Sequence, residues 1–122
     1  EAELDRLQAV NQAFRDAAEN NDAEGYLENN QEFHLSIYRA AGSTLLVDTI
    51  EGLWLRVGPI LHYLFRDVGL VNAAVETHTP ILDALRRHDG PAARAAVAND
   101  IHHAALHLTD WLLPKDSAGS QD

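Results

Sequence analysis

The chain has 122 residues, 46% of them apolar, and a net charge of −10 from 9 Lys plus Arg against 19 Asp plus Glu. That is the length of one domain and too apolar for a disordered segment; no run of about 18 apolar residues is present to span a membrane, and no signal-peptide pattern opens the chain. A domain this acidic repels a phosphate backbone, so any DNA contact belongs to another domain, and the lack of cysteine excludes disulfides, thiolate metal sites and cysteine nucleophiles. No methionine occurs, so the chain is expected to be a piece of a longer protein or to lack its start.

Five helices are predicted in chain order. The first covers about residues 1–20, with Leu4, Leu7, Val10, Phe14 and Ala17 at helical spacing. Asn20-Asn21-Asp22 breaks it, and Asp22 is placed to cap a second helix over about 23–41 that carries Tyr26, Leu27, Phe33, His34, Ile37 and Tyr38. Gly42 ends that helix and Ser43 caps the third. The third helix, about 44–66, is the most apolar, and Leu46, Ile50, Leu53, Val57, Ile60 or Leu61, and Leu64 are expected to form a continuous buried face; Pro59 predicts a kink. A loop at Asp67-Val68-Gly69 leads to a fourth helix over about 71–88, which contains Pro80. Asp89-Gly90-Pro91 opens a fifth helix that runs to about Leu113, where Pro114 stops it. The Ser- and Gly-rich tail from Lys115 reads as disordered. No strand pattern and no Gly-rich phosphate loop is present. Short connections between long amphipathic helices favour an all-α antiparallel bundle of about five or six helices.

Four polar side chains fall on the apolar stripes of three of these helices. Asn30 and His34 are four apart and share one face. His78 lies in the stripe Val71, Val75, His78, Leu82, Leu85. Asp100 interrupts the stripe Ala93, Val97, Asp100, Ala104, His107, Trp111. A carboxylate on a core-facing stripe is costly unless something pairs with it. Two imidazoles, a carboxylate and a carboxamide from separate helices supply that pairing if they bind a metal ion. The bland reading of Asp100 is a stripe offset by one residue, which would turn the side chain to water; that of His78 is a satisfied core histidine. His103 and His107 follow Asp100 on the same face, as supporting partners or substitute ligands.

The order and spacing of these motifs resemble the C-terminal effector-binding domain, FCD, of FadR-type transcription regulators in the GntR family. Where the family has Asp-x-x-Phe-His, this chain has Asn30-Gln31-Glu32-Phe33-His34, followed by Leu35-Ser36-Ile37-Tyr38-Arg39-Ala40-Ala41-Gly42. The family's Glu-His-x-x-Ile-Leu-x-Ala-Leu stretch corresponds to Thr77-His78-Thr79-Pro80-Ile81-Leu82-Asp83-Ala84-Leu85. An acidic residue, an alanine run and a ligand position then correspond to Asp89, Ala92 through Val97, and Asp100. The resemblance runs from about Leu4 to Trp111.

It implies a cytoplasmic, homodimeric regulator in which His34, His78, Asp100 and Asn30 surround one divalent ion of the zinc, nickel or manganese class. It also implies a small organic acid as effector, and DNA binding through a separate winged-helix domain not present in this chain, so that residues 1–113 are the effector domain. Two positions depart from the family's one Asp and three His: Asn30 stands at the Asp position and Asp100 at the last His position. Neutral amide oxygen is a poor ligand for zinc-like ions and adequate for harder ones. With the effector's carboxylate on the ion, Arg56, placed on the buried side of the third helix, and Tyr63, further along that helix, are the candidate anchors for the rest of the molecule; the bland reading of Arg56 is a salt bridge to one of the many carboxylates. Trp54 and Trp111 read as core residues. Two other classes stay open. A metal-dependent hydrolase needs a water-filled approach and a general base; a ligand-free dimerisation module predicts a dry core and surface histidines.

Overall fold

The computed structural model describes residues 1–66 and 68–113, the side chains of residues 64 and 68–70 excepted. Its five helices are α1 (Ala2–Glu19), α2 (Ala23–Ala40), α3 (Thr44–Leu64), α4 (Val68–Arg86) and α5 (Gly90–Leu112). Among the described residues there is no strand. The punctuation is local chemistry. Asp22 accepts from the Gly25 amide at 3.0 Å, Ser43 from Leu46 at 3.3 Å and Asp89 from Ala92 at 3.0 Å. Each side chain satisfies an amide that the first helical turn leaves without a partner. Gly42 turns the chain out of α2 at φ +82, a backbone angle that suits glycine. The helices α3 and α4 run through Pro59 and Pro80. The fourth begins three residues earlier than expected, so Val68 and Gly69 are helical rather than loop. The expected tail from Lys115 lies outside the described residues.

The helix α1 packs on α2 and α4, α2 also packs on α3, and α4 on α5. Two apolar clusters form the core. One joins Leu7, Phe33, Ile81 and Leu82; the other joins Phe14, Ala17, Tyr26 and Val71. The expected stripes of α1, α2 and α4 point into these clusters. The stripe of α3 does not close: Leu46 is 48% and Leu53 54% exposed, and among the described side chains of this helix the buried one is Val47. Trp54 is half-buried and Trp111 is 52% exposed, so neither is a core residue. The reason is that α3 packs chiefly against α2. Apolar periodicity states that a face favours burial, not that this chain supplies the cover.

Candidate metal centre

The centre is assembled where the two core clusters meet. The helix α2 brings His34, α4 brings Thr77 and His78, and α5 brings Asp100. All three of His34, His78 and Asp100 are buried. Asp100 therefore faces inward, and its stripe is not offset. His34 Nε2 lies 2.9 Å from Asp100 Oδ2, and His78 Nε2 lies 3.8 Å from the same oxygen. The Thr77 hydroxyl donates to Asp100 Oδ1. The two imidazoles meet edge to face, their centroids 5.3 Å apart.

His78 is fully buried between two aromatic rings. Phe33 stacks on it at 4.1 Å and an interplanar angle of 8°, and Phe14 covers the other face at 4.5 Å. Asn11 Oδ1, from α1, lies 3.0 Å from His78 Nδ1. Around His34 stand the Tyr38 hydroxyl, 3.5 Å from Nδ1, and the Trp54 ring.

Burial pushes the His78 imidazole down to about 4, against the opposing pull of Asp100 and with the help of His34. That ring is thus neutral in the folded chain at neutral pH, the form in which a histidine can ligate. For Asp100 burial acts upward. The hydrogen bond from His34, the charges of His34 and His78, and the Thr77 bond outweigh it and hold the carboxyl below its ordinary value. The phenols of Tyr26 and Tyr38 are pushed up by burial and then by the Asp100 charge.

This donor set fits a divalent ion. One ligand atom from each of His34, His78 and Asp100 can be chosen so that all lie within 4.8 Å of one another. Among the described residues, buried His78 Nε2 has no hydrogen-bond partner, and neither does buried Asn30 Oδ1. A buried acceptor left bare costs about 1–3 kcal/mol, and a cation beside His78 Nε2 removes that cost. Two imidazoles and one carboxylate are a common set for transition ions, with positions left for an exogenous oxygen ligand.

A cavity of about 50 Å³ adjoins the centre, lined by Asn30, Thr77, Asp100 and His103 beside apolar side chains from α2, α3 and α4. Asn30 lines the wall of this cavity together with Asp100. His103 reaches the same wall from one turn beyond Asp100, although its own side chain is exposed. His107 is half-buried further along α5. Arg56 is exposed, not on the buried side of α3, and Tyr63 is 58% exposed and stacks on Trp111 at 6.2 Å. Neither is among the described residues that line the cavity, because the face of α3 that carries them turns away from it. Asn11 and Thr77 were not singled out from the sequence. Asn11 carried a signal: it interrupts the apolar stripe of α1, four residues after Leu7 and three before Phe14. Thr77 carried little beyond its place next to His78.

The described residues thus form an all-α bundle with a buried His and Asp cluster beside a small cavity. The chain belongs to the FCD domain family, whose model matches residues 1–103. It is similar to the HTH-type transcriptional regulator McbR of Escherichia coli (strain K12), 32% identical over 98 residues, which cover 79% of this chain and 44% of that protein. It is also similar to the probable D-xylose utilization operon transcriptional repressor of Paenarthrobacter nicotinovorans, 34% identical over 97 residues, covering 80% of this chain and 41% of that protein. The chain thus spans less than half the length of the curated relatives it matches. The solved structure of E. coli McbR/YncC superposes with a TM-score of 0.82 at 28% identity, over 92% of this chain and 54% of that one. The FadR-type resemblance read from the motifs agrees with all three. The relatives are transcriptional regulators, which sets the hydrolase alternative aside. Among the described residues no helix is long and apolar enough to cross a membrane.

Proposed function

We propose that this chain is the sensing domain of a cytoplasmic transcription regulator. In this reading His34, His78 and Asp100 hold one divalent ion, and a small carboxylate effector completes its coordination from the adjoining cavity. The bare, buried Nε2 of His78 beside His34 and Asp100 carries the reading. Asn30 contributes from the cavity wall as a weak oxygen ligand or a hydrogen-bond partner of the effector. When bound, the ion supplies a fixed positive charge for a carboxylate oxygen.

His103, the basic side chain on the cavity wall, replaces Arg56 as the anchor for the rest of the effector. A cavity of about 50 Å³ favours an acid of few heavy atoms, or one that pushes the helices apart on entry. Because α2, α3, α4 and α5 all contribute to the lining, a bound effector changes how they pack. An attached winged-helix domain reads that change, and the acidic surface of this chain leaves the DNA contact to it. The regulator works as a homodimer, since two-fold partners read paired half-sites.

The test combines metal content with melting temperature. Zinc, nickel and manganese are titrated against the native chain, His78→Ala and the exposed His88→Ala. A stabilisation that grows with ion concentration in the native chain and in His88→Ala, and is lost in His78→Ala, is the expected result. Equal shifts in all three would place the ion on surface histidines and end this reading. A panel of small hydroxy and keto acids should then yield a compound whose affinity drops with chelator and in His103→Ala.

A further inference from the structure

The side of His78 away from His34 and Asp100 is held by a polar group from α1. Asn11 is 5% exposed, sits on α1, and places Oδ1 3.0 Å from His78 Nδ1. The opposite ring nitrogen, Nε2, has no acceptor at bonding distance: Asp100 Oδ2 is 3.8 Å away. A proton on Nε2 would therefore be a buried donor without a partner, whereas a proton on Nδ1 is received by Asn11. Phe14 and Phe33 close both faces of the ring. Turning the imidazole over would move Nδ1 away from Asn11 and put a carbon in its place.

We propose that Asn11 is the positioning residue of the centre: it accepts the Nδ1 proton of His78 and so fixes the tautomer whose Nε2 lone pair faces His34 and Asp100. This rests on the reading of the cluster as a metal centre in so far as that lone pair serves a cation. A neutral histidine ligates only through a bare nitrogen, and the bond made by the other nitrogen decides which one is bare. Asn11 thereby ties the state of α1 to the competence of residues on α2, α4 and α5. A chain in which α1 slides or frays loses the acceptor and presents a mixture of tautomers to the ion.

The experiment uses the full chain labelled with nitrogen-15 at histidine, with zinc as the probe. Long-range proton–nitrogen correlation distinguishes a protonated from a bare ring nitrogen, and the His78 signals are assigned by their loss in His78→Phe. The metal-free native chain should show His78 protonated on Nδ1, and zinc should perturb Nε2. Zinc affinity, measured by competition with a chelator, should fall about 10–100-fold in Asn11→Ala, the range found when the partner of a ligating histidine is removed. Asn11→Asp keeps an acceptor at the same place and should recover most of that loss.

A purely structural Asn11 would lower the melting temperature of Asn11→Ala and leave the zinc affinity of the folded fraction and the tautomer unchanged; that result overturns the proposal. So does an Nε2-protonated His78 in the native chain, which needs no variant to fold. If the native chain takes up no zinc, the metal reading fails. The tautomer then decides the role of Asn11 by itself: Nδ1–H in the native chain and in Asn11→Asp, with a mixture in Asn11→Ala, supports it, and any other pattern overturns it.

Discussion

His78 and Asp100 make the folded chain sensitive to acid, and the two act in the same direction. The unfolded imidazole takes up its proton near 6.5, but the folded one does so only near 4, because burial disfavours its charged form. Between those values the unfolded state binds more protons, so stability falls as pH falls through that window and the contribution levels off below it. The loss for the metal-free chain is on the order of 3 kcal/mol. Asp100 is held below its ordinary value of 3.8 in the folded state, so its contribution is present above about that pH and is lost on further acidification. Denaturant unfolding in chelator, followed from about pH 7 to about pH 4, should give a steadily falling stability. His78→Phe keeps an aromatic ring between Phe14 and Phe33 and should flatten that dependence. An equal slope in both proteins would mean that other groups carry the acid sensitivity. The residues of this centre were largely legible in the sequence, because a histidine or aspartate on an apolar stripe contradicts the stripe. Asn11 obeyed the same logic and was overlooked because asparagine is common on helices for no special reason. Arg56 was misplaced because a residue that borders a stripe lies at most one helical step from either face.

At the scale of the elements, the caps were legible for a different reason: capping is decided within four residues and needs no tertiary context. Asp22, Ser43 and Asp89 all cap as expected. One of these caps also settles what a neighbouring glycine does. A Cβ on Gly25 would collide with the Asp22 carboxylate and approach Ala17 Cβ at 3.4 Å. Alanine for glycine inside a helix is ordinarily worth about 0.5–1 kcal/mol. Here it should bring no gain, because the new methyl displaces the capping carboxylate. Asp22→Ala alone should cost about 1 kcal/mol. Once the carboxylate is gone, Gly25→Ala should recover its ordinary benefit, so the two substitutions couple. Urea unfolding of the four proteins of this cycle measures the coupling, and simple additivity would mean that the methyl and the cap do not compete. The third helix shows where such local reading stops. Its apolar period was plain, yet Leu53 and Leu55 lie open at 54% and 80%. No pattern within α3 could say that α2 alone would be its main partner.

At the scale of the whole molecule, those open side chains are the counterpart of the buried centre. Leu46 and Leu53 are seven apart and share one face of α3, and Ile101 and Leu112 share one face of α5 at three turns' separation; all four are about half exposed or more. Exposed apolar rows on a domain of net charge −10 are held apart from one another by repulsion unless a contact brings them together. We expect the chain to self-associate through these rows at high concentration, more strongly as salt screens the acidic surface. Sedimentation equilibrium should show a mass above the monomer for the native chain and a monomer for Leu53→Glu, with the helical signal unchanged. A native chain that stays monomeric at every concentration and salt would remove this face from the assembly. The position of α3 makes the expectation bear on sensing as well. Leu61, from the same helix, lines the cavity beside Asp100, so a ligand that displaces α3 also displaces the face that pairs. Coupling of that kind is reciprocal: if a carboxylate binds the dimer more tightly than the monomer by some factor, it must tighten the dimer by that same factor per site. Measuring the dimer constant with and without a bound acid, and the acid's affinity in the native chain and in Leu53→Glu, gives that factor twice. Agreement above unity means that α3 links the cavity to the pairing face; a factor of one in both measurements means that the ligand is sensed without moving α3.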